Sequence, residues 1–298
     1  MNIIDTKQSY CGFITIVGRP NVGKSTIMNH LIGQKISITS RKPQTTQHVI
    51  HGVNIQENCQ YIFVDTPGFQ TKYMTKINTL LNEAVINELQ DIDVVLFIVE
   101  AGLFNSADEQ VIQLLPRNKP VFLVINKIDK YKDKILMDTF IKSIQPLFKF
   151  ENVLLVSAKQ HDGIDNVLKQ IKGFIPEGSF LYLEDQVTNR DKRFLTAEII
   201  REKLFRYLGQ ELPYNATVII DEYNDKDDIA KISAIILVDK QNQKGIVIGK
   251  NGLKLKHIST EARIDIEKLL IKKVFLQLWV KVKTGFADEE KFLQQFSK

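Results

Sequence analysis

Cysteine is almost missing from this chain of 298 residues: only Cys11 and Cys59 occur. Each lies beside a hydrophobic strand-like run. That placement fits buried, reduced thiols better than a disulfide framework or a metal cluster, and it points to a reducing, cytosolic compartment. Long apolar runs are lacking too, since the longest, Val94 to Val99, is far too short to cross a bilayer. The opening stretch MNIIDTKQSYCGFITIVG has no basic segment followed by an apolar one and a small-residue cleavage site. Neither secretion nor membrane spanning is therefore expected. With 15 Gly, 8 Pro, no Gly/Ser tract and no repeat, a low-complexity arm is excluded as well.

What is present is the composition of a globular protein, 44% hydrophobic and 25% charged, in a chain long enough for two cores. The net charge of +5 is too small by itself to indicate a polyanion partner. Its distribution is uneven. From Lys240 to Lys283 there are eleven Lys/Arg against three Asp/Glu, a local surplus larger than that of the whole chain. A basic block is often just a solvated face, so nucleic-acid binding needs further signals.

Up to about residue 175, short apolar runs alternate with helical stretches: GFITIVG, YIFVDTPG, DVVLFIVE, PVFLVINK and NVLLVSA. Strands apolar on both faces imply a mostly parallel sheet between helix layers, an α/β fold. The segment IPEGSFLYLED, with Pro and Gly and no helical period, reads as a linker, which divides the chain into residues 1–180 and 181–298. Beyond it come a helix, two strands, a helix continuing past a glycine-containing turn, and a last strand, VFLQLWVKVK. This describes a small α+β domain with one open sheet face. Trp279 on that strand is expected to be buried rather than to serve as a stacking platform.

The strand GFITIVG runs into Gly18-Arg19-Pro20-Asn21-Val22-Gly23-Lys24-Ser25-Thr26 and then a helical pattern, the context a G-x-x-x-x-G-K-S phosphate loop requires. Its glycines let backbone N–H groups converge on a β-phosphate, and the helix N-terminus adds its dipole. Lys24 spans the β- and γ-phosphates, and the Ser25 hydroxyl reaches Mg²⁺. Asp65-Thr66-Pro67-Gly68 ends a later strand at the same sheet edge, where Asp65 holds Mg²⁺ through water and the Gly68 amide approaches the γ-phosphate. Alone, it is an ordinary turn sequence. Asn126-Lys127-Ile128-Asp129 names the base: the Asp129 carboxylate accepts from guanine N1–H and the 2-amino group, whereas adenine would leave it buried and unpaired. Ser157, Ala158 and Lys159 offer backbone N–H groups to the guanine O6.

On these motifs the chain resembles the translation-factor-related GTPases and, among them, the Era-type family of bacterial ribosome-assembly GTPases. GRPNVGKST, GQKISITSRKPQTTQH, VDTPG, NKID and SAK carry the resemblance, as do REKLF, LGQELPY, VIGKNG and LWVKVK further on. It implies a P-loop G domain followed by a smaller type II KH domain. It also implies a first switch over residues 36 to 48, in which Thr46, or its neighbour Thr45, completes the Mg²⁺ shell. Family members usually have Arg after these threonines; here Gln47 stands in its place. Phe69 follows Gly68 where many signalling GTPases have a water-orienting Gln, so slow intrinsic turnover is expected. Asn21 has two readings: relatives with Asn there bind K⁺ beside the phosphates, and Asn is also a common turn former. For catalysis the residues singled out are Lys24, Thr46, Gly68 and Asn21.

Val247-Ile248-Gly249-Lys250-Asn251-Gly252 joins two helical stretches by a G-x-x-G loop, within the α-β-β-α-α-β order of a type II KH domain. By itself that loop is more often a plain helix-to-helix turn. With Lys250, Lys254 and Lys256 beside it, the loop can clamp about four unpaired nucleotides. Arg263, Lys268, Lys272 and Lys273 read as a solvated helix face.

The resemblance implies that the clamped strand is the 3′ end of small-subunit ribosomal RNA and that the small ribosomal subunit is the partner. The expected protein is thus a monomeric, cytoplasmic GTPase, using GTP/GDP and Mg²⁺, that acts in small-subunit assembly. A signalling switch peripheral to the inner face of the cell membrane is the alternative from another class. An ATP-driven kinase or transport ATPase is disfavoured by Asp129.

Overall fold

The computed structural model describes residues 8–40, 48–65, 91–131, 133–209 and 212–285. They fall into two compact units: the first reaches Asn189, and the second runs from Arg190 and also takes in residues 38–40.

In the first unit a six-stranded sheet has the order β2-β3-β1-β4-β5-β6. Its strands are β1 (Tyr10–Val17), β2 (Ile50–Gln56), β3 (Cys59–Asp65), β4 (Val94–Glu100), β5 (Val121–Asn126) and β6 (Asn152–Leu155). All neighbours pair in parallel except β2 and β3, which form an antiparallel hairpin. The central strands CQYIFVD, VVLFIVE and VFLVIN are buried almost throughout. That burial is what runs apolar on both faces demand. Strand β2, IHGVNIQ, is absent from the runs that read as strands. Its polar residues and glycine give it no continuous apolar run, a pattern an edge strand tolerates.

Between the strands lie α1 (Lys24–Ile32), α2 (Ser106–Leu114), α3 (Lys134–Ile144) and α4 (Ile164–Ile171). Helix α4 shows how sequence sets the packing: Ile164, Val167, Leu168 and Ile171 fall on one stripe and are all buried. Asn105 caps α2 through a reciprocal box with Asp108, and Asp133 caps α3 by accepting from the Ile135 and Leu136 amides. Phe97, Val99, Leu123, Ile125, Met137 and Ile144 fill the core between β4, β5 and α3. Because β1, β3, β4, β5 and β6 are parallel, their C-terminal ends line one sheet edge. Chain order reverses there, β1 being flanked by β3 on one side and β4 on the other. The expected linker, residues 175–185, is held on the first unit: Gln60 Oε1 accepts from the Leu181 and Tyr182 amides at 2.8 and 3.0 Å.

The second unit follows the order α5 (Lys192–Tyr207), β7 (Ala216–Asn224), β8 (Ile229–Val238), α6 (Gln241–Ile248), α7 (Leu253–Leu270) and β9 (Lys273–Val282). Strands β7 and β8 are antiparallel, and β8 and β9 are parallel. Among the described residues, helices cover one face only. Ile232, Ala234 and Val274 pack there with Ile199, Ile200 and Ile266, while Ile236 and Val280 pack with Leu204, Val247 and Ile258. Residues 38–40 join this unit through Thr39, whose N–H and hydroxyl donate to Glu202 Oε1 at 3.3 and 3.0 Å. Trp279 departs from expectation: it is 55% exposed. On β9 the inner face belongs to Val274, Leu276, Leu278 and Val280, and strand alternation turns Trp279 to the opposite, uncovered side.

Candidate functional site

The edge formed by the C-terminal ends of the strands is organised around one amide. Asn126 closes β5 and is 2% exposed. Its Nδ2 donates to the Val22 carbonyl at 2.7 Å, and its Oδ1 accepts from the Lys127 and Ala158 amides at 2.7 and 3.0 Å. One side chain thus ties the phosphate loop, the N-K-I-D turn and the S-A-K loop together. The approach is close enough to require glycine opposite it: a Cβ on Gly23, at φ +104°, would lie 2.3 Å from Asn126 Nδ2.

Lys127 sits in the left-handed region and reaches back, donating from Nζ to the Asn21 carbonyl at 2.7 Å and to Glu100 at 2.6 Å. Burial opposes ionisation of Glu100, but Lys127, helped by Lys130, outweighs it and holds the carboxyl below its ordinary range. The Arg19 side chain turns from the loop to the Asp108 carboxylate at 3.0 Å and to Glu100 at 3.5 Å. Asp108 is fully buried, and that burial pushes its carboxyl up against the pull of the Asn105 amide and Arg19. Arg19 therefore offers the phosphate loop its backbone, while its guanidinium braces the loop from behind.

Lys24, at the first position of α1, donates to the Gly18 and Arg19 carbonyls at 2.8 and 3.0 Å, curling over the loop. Burial of its ammonium, only partly offset by Asp65, pulls it from 10.5 down to about 8. Asp65, at the end of β3, is 1% exposed. It accepts from the Ser25 hydroxyl at 3.3 Å and, through a very short bond, from the Ser37 hydroxyl. Ser37 is itself fixed by Asn29 of α1, whose Oδ1 accepts from the Ile36 and Ser37 amides and whose Nδ2 donates to the Ser37 carbonyl. Only oxygen donors meet at this point. Among the described residues no cluster of three or more His, Cys, Asp or Glu could hold a metal alone. The set of Ser25 and Asp65 fits Mg²⁺, which keeps waters and completes its shell with phosphate oxygens.

On the base side, Asp129 accepts from the Ser157 hydroxyl at 2.7 Å, which orients the carboxylate. Ser157 is pinned in turn by paired backbone bonds with Asp162 at 2.9 and 3.1 Å. The Ala158 amide, expected at guanine O6, here donates to Asn126; Lys159 is exposed beside it. Of the other expected residues, Thr46 with Thr45 and Gln47, and Thr66, Pro67, Gly68 and Phe69, lie outside the described residues.

Sequence reasoning missed Asn29, Ser37, Glu100 and Asp108. Only Ser37 lay inside a stretch already marked, the first switch. The other three act through side chains on helices and a strand end that carry no motif.

In the second unit, Gly249 ends α6 and Gly252 precedes α7 at φ +73°, with Asn251 also left-handed at φ +53°. Lys250 and Lys256 are exposed and Lys254 is half-buried. Val247 is fully buried among Leu204, Ile236 and Val280, and Ile248 packs against the same cluster. Their part is to seat the loop, leaving Lys250 and Lys256 outward.

The family described as 50S ribosome-binding GTPase matches residues 13–127, and the KH domain family matches residues 207–285. The chain is 53% identical to the GTPase Era of Chromobacterium violaceum, covering 96% of this chain and 97% of that one. It is 47% identical to that of Coxiella burnetii, covering 97% and 98%. Among solved structures, a single-residue variant of Aquifex aeolicus Era bound to GDP·AlF4⁻ aligns with TM-score 0.89 at 36% identity, covering 96% and 98%. Era in complex with MgGDPNP and nucleotides 1506–1542 of 16S ribosomal RNA aligns with TM-score 0.86 at 37% identity, covering 97% and 98%.

The chemistry of this edge makes two expectations measurable. Lys24 must be charged to grip a phosphate, so nucleotide binding above pH 8 requires proton uptake. GTP affinity should then fall by up to about tenfold per pH unit above that point, measured by calorimetry in buffers of different ionisation enthalpy. The sign for folding is opposite. Between about 8 and 10.5 the unfolded chain binds the extra proton, so the stability owed to Lys24 rises with pH. For Ser37→Ala, the buried Asp65 carboxylate loses a donor, which should cost about 1–3 kcal/mol in the nucleotide-free protein. Thermal melts should show the deficit shrinking with saturating Mg²⁺ and GTP, whose bound water replaces the hydroxyl; an equal deficit in both states would refute that role.

Proposed function

The chain belongs to the Era family of GTPases, and from that premise we infer a reading of its own residues: a GTP-hydrolysing factor that binds small-subunit ribosomal RNA near its 3′ end and acts in assembly of that subunit. The observation that carries it is the pairing, in one chain, of a guanine-reading carboxylate at the edge that holds Lys24 with a lysine-flanked G-x-x-G loop. Asp129, oriented by Ser157, accepts from two donors that guanine has and adenine lacks, so ATP is rejected. Backbone amides of the 18–25 turn and Lys24 take the phosphates, and Ser25 and Asp65 take the Mg²⁺ side. Thr46 is assigned to the Mg²⁺ shell and Gly68 to the γ-phosphate by their motif positions.

Nucleotide state can reach the RNA-holding unit along the chain. Ser37 bonds to Asp65, and two residues on, Thr39 bonds to Glu202 of the second unit. A change in how Asp65 is satisfied therefore pulls on a segment anchored at both ends. We place the protein in the cytoplasm as a monomer. Among the described residues no helix is long and apolar enough to cross a membrane, and the membrane-surface alternative has no observation of its own to carry it.

The RNA assignment predicts that Gly252→Asp puts a carboxylate where a phosphate should pass and forces a strained backbone at φ +73°. Binding to a single-stranded 3′ end of small-subunit RNA should drop at least about tenfold while GTP affinity holds, since the variant adds like charge beside the backbone. Undiminished RNA binding would contradict it. For hydrolysis, Asn21 stands exposed at φ +66° beside the phosphate turn, and K⁺ held there would partly replace an arginine finger. Turnover should then be roughly tenfold faster in K⁺ than in Na⁺, a fraction of what such a finger supplies, and the difference should vanish in Asn21→Ala. Identical rates in the two salts would end the idea.

A further inference from the structure

Among the described residues the sheet of the second unit leaves one face uncovered, and that face is neither plainly polar nor plainly apolar. The register places Ile219 of β7, Ile235 of β8 and Trp279 of β9 in one row across it. Phe275 lies on the same face of β9, and it and Trp279 are each 55% exposed. Gln277 stands between the two aromatics, with Lys273 before and Lys281 after, all exposed. Among the described residues acidic groups are few on this face: Glu222 of β7 lies two strands from Gln277 in the same row, and Asp227 pairs with Lys231, which neighbours Phe275. Strand β9 is an edge strand, and the helices that carry the G-x-x-G loop pack on its inner side.

We propose that this outer face is a second RNA contact, on which unpaired bases beyond those held at the G-x-x-G loop stack on Trp279 and Phe275, with Lys281 and Lys273 meeting the flanking phosphates. The inference rests on the RNA reading given above. Aromatics at positions i and i+4 of a strand stand about 13 Å apart, room for successive nucleotides, with Gln277 between them to hydrogen-bond a base edge. Lysines interleaved with aromatics suit a nucleic-acid strand, whereas the core of a protein interface is depleted in lysine. Length argues the same way. A KH groove takes about four nucleotides, and the RNA in the relative's complex, nucleotides 1506–1542, is several times longer.

Trp279 is the only tryptophan in the sequence, so intrinsic fluorescence reports on this face directly. Titrating the full-length protein with 3′-terminal segments of 16S RNA of increasing length should leave the emission unmoved by about four nucleotides, the groove's capacity. RNA spanning nucleotides 1506–1542 should quench it. Trp279→Ala should weaken that longer RNA by about five- to 150-fold while sparing the short one, and Phe275→Ala, as an independent variant, should act the same way. Lys281→Gln should lower the salt dependence of binding by about one counterion. Both aromatics are more than half exposed, so melting temperatures should barely change. If the longer RNA binds Trp279→Ala as tightly as the parent and leaves the parent's emission unmoved, while Gly252→Asp still releases it, the second contact is overturned and the KH reading stands. If Gly252→Asp releases nothing, the KH reading itself has failed. If Trp279→Ala binds RNA normally but no longer binds purified small subunits, the face docks protein and the proposal is overturned.

Discussion

The nucleotide edge depends on the hydrogen bonds of the Asn126 amide. A primary amide buried to 2% exposure is costly unless its donors and acceptor lone pairs find partners, and here both ends do, in three different loops. The bonds do more than satisfy Asn126: they fix the distance between the turn that takes phosphates and the turns that read a base. Lys127 adds a second tie from the outside, through the Asn21 carbonyl, but it does not reach the S-A-K loop. A leucine of similar size at position 126 would fill the volume but leave the loops tied only from outside, through Lys127 to Asn21 and Ser157 to Asp129, so the site's geometry rests on polarity there more than on packing.

A second layer sets charge rather than distance. Glu100, at the end of β4, gathers Lys127, Lys130 and Arg19, while Asp108 takes the other side of the Arg19 guanidinium. Pairing these basic side chains with carboxylates beside the phosphate loop stops them from competing with the loop's backbone for an anion. Lys24 is the exception. Its ammonium donates to carbonyls and is lowered by burial, so it gains most when a phosphate arrives. Ser37 performs the parallel service on the metal side, holding Asp65 by a hydroxyl that a metal-bound water can replace.

How much of this can be read from residues alone divides along a physical line. Runs apolar on both faces and loops whose chemistry is local in sequence are legible, which is why the parallel strands, the phosphate loop, N-K-I-D, S-A-K and G-x-x-G stand where expected. Strand β2 is not, because an edge strand with His51, Gly52 and Asn54 need not show a continuous run. Asn29, Ser37, Glu100 and Asp108 are not, because the partners that bring them to the site lie 7 to 89 residues away, and the one local bond, between Asp108 and Asn105, marks only a helix start. Trp279 goes astray for a related reason: strand alternation divides the residues of β9 correctly between two faces, but the general tendency of tryptophan toward burial points the other way and is the weaker guide.

The two units solve related problems with one device and differ in what surrounds it. In each, a glycine with positive φ, Gly23 or Gly252, stands immediately before a helix, so the first free N–H groups and the helix dipole face an incoming phosphate. Around Gly23 the sequence supplies buried, mutually bonded polar groups, with Asn126 against the turn and Ser157 holding the half-buried Asp129 further along the edge. Around Gly252 the side chains are lysines on flexible stems, which attract a backbone of any sequence. Sequence preference in the second unit must therefore come from surfaces that touch bases rather than phosphates: the groove beside the loop and, across β9, a sheet face that keeps its aromatics in solvent.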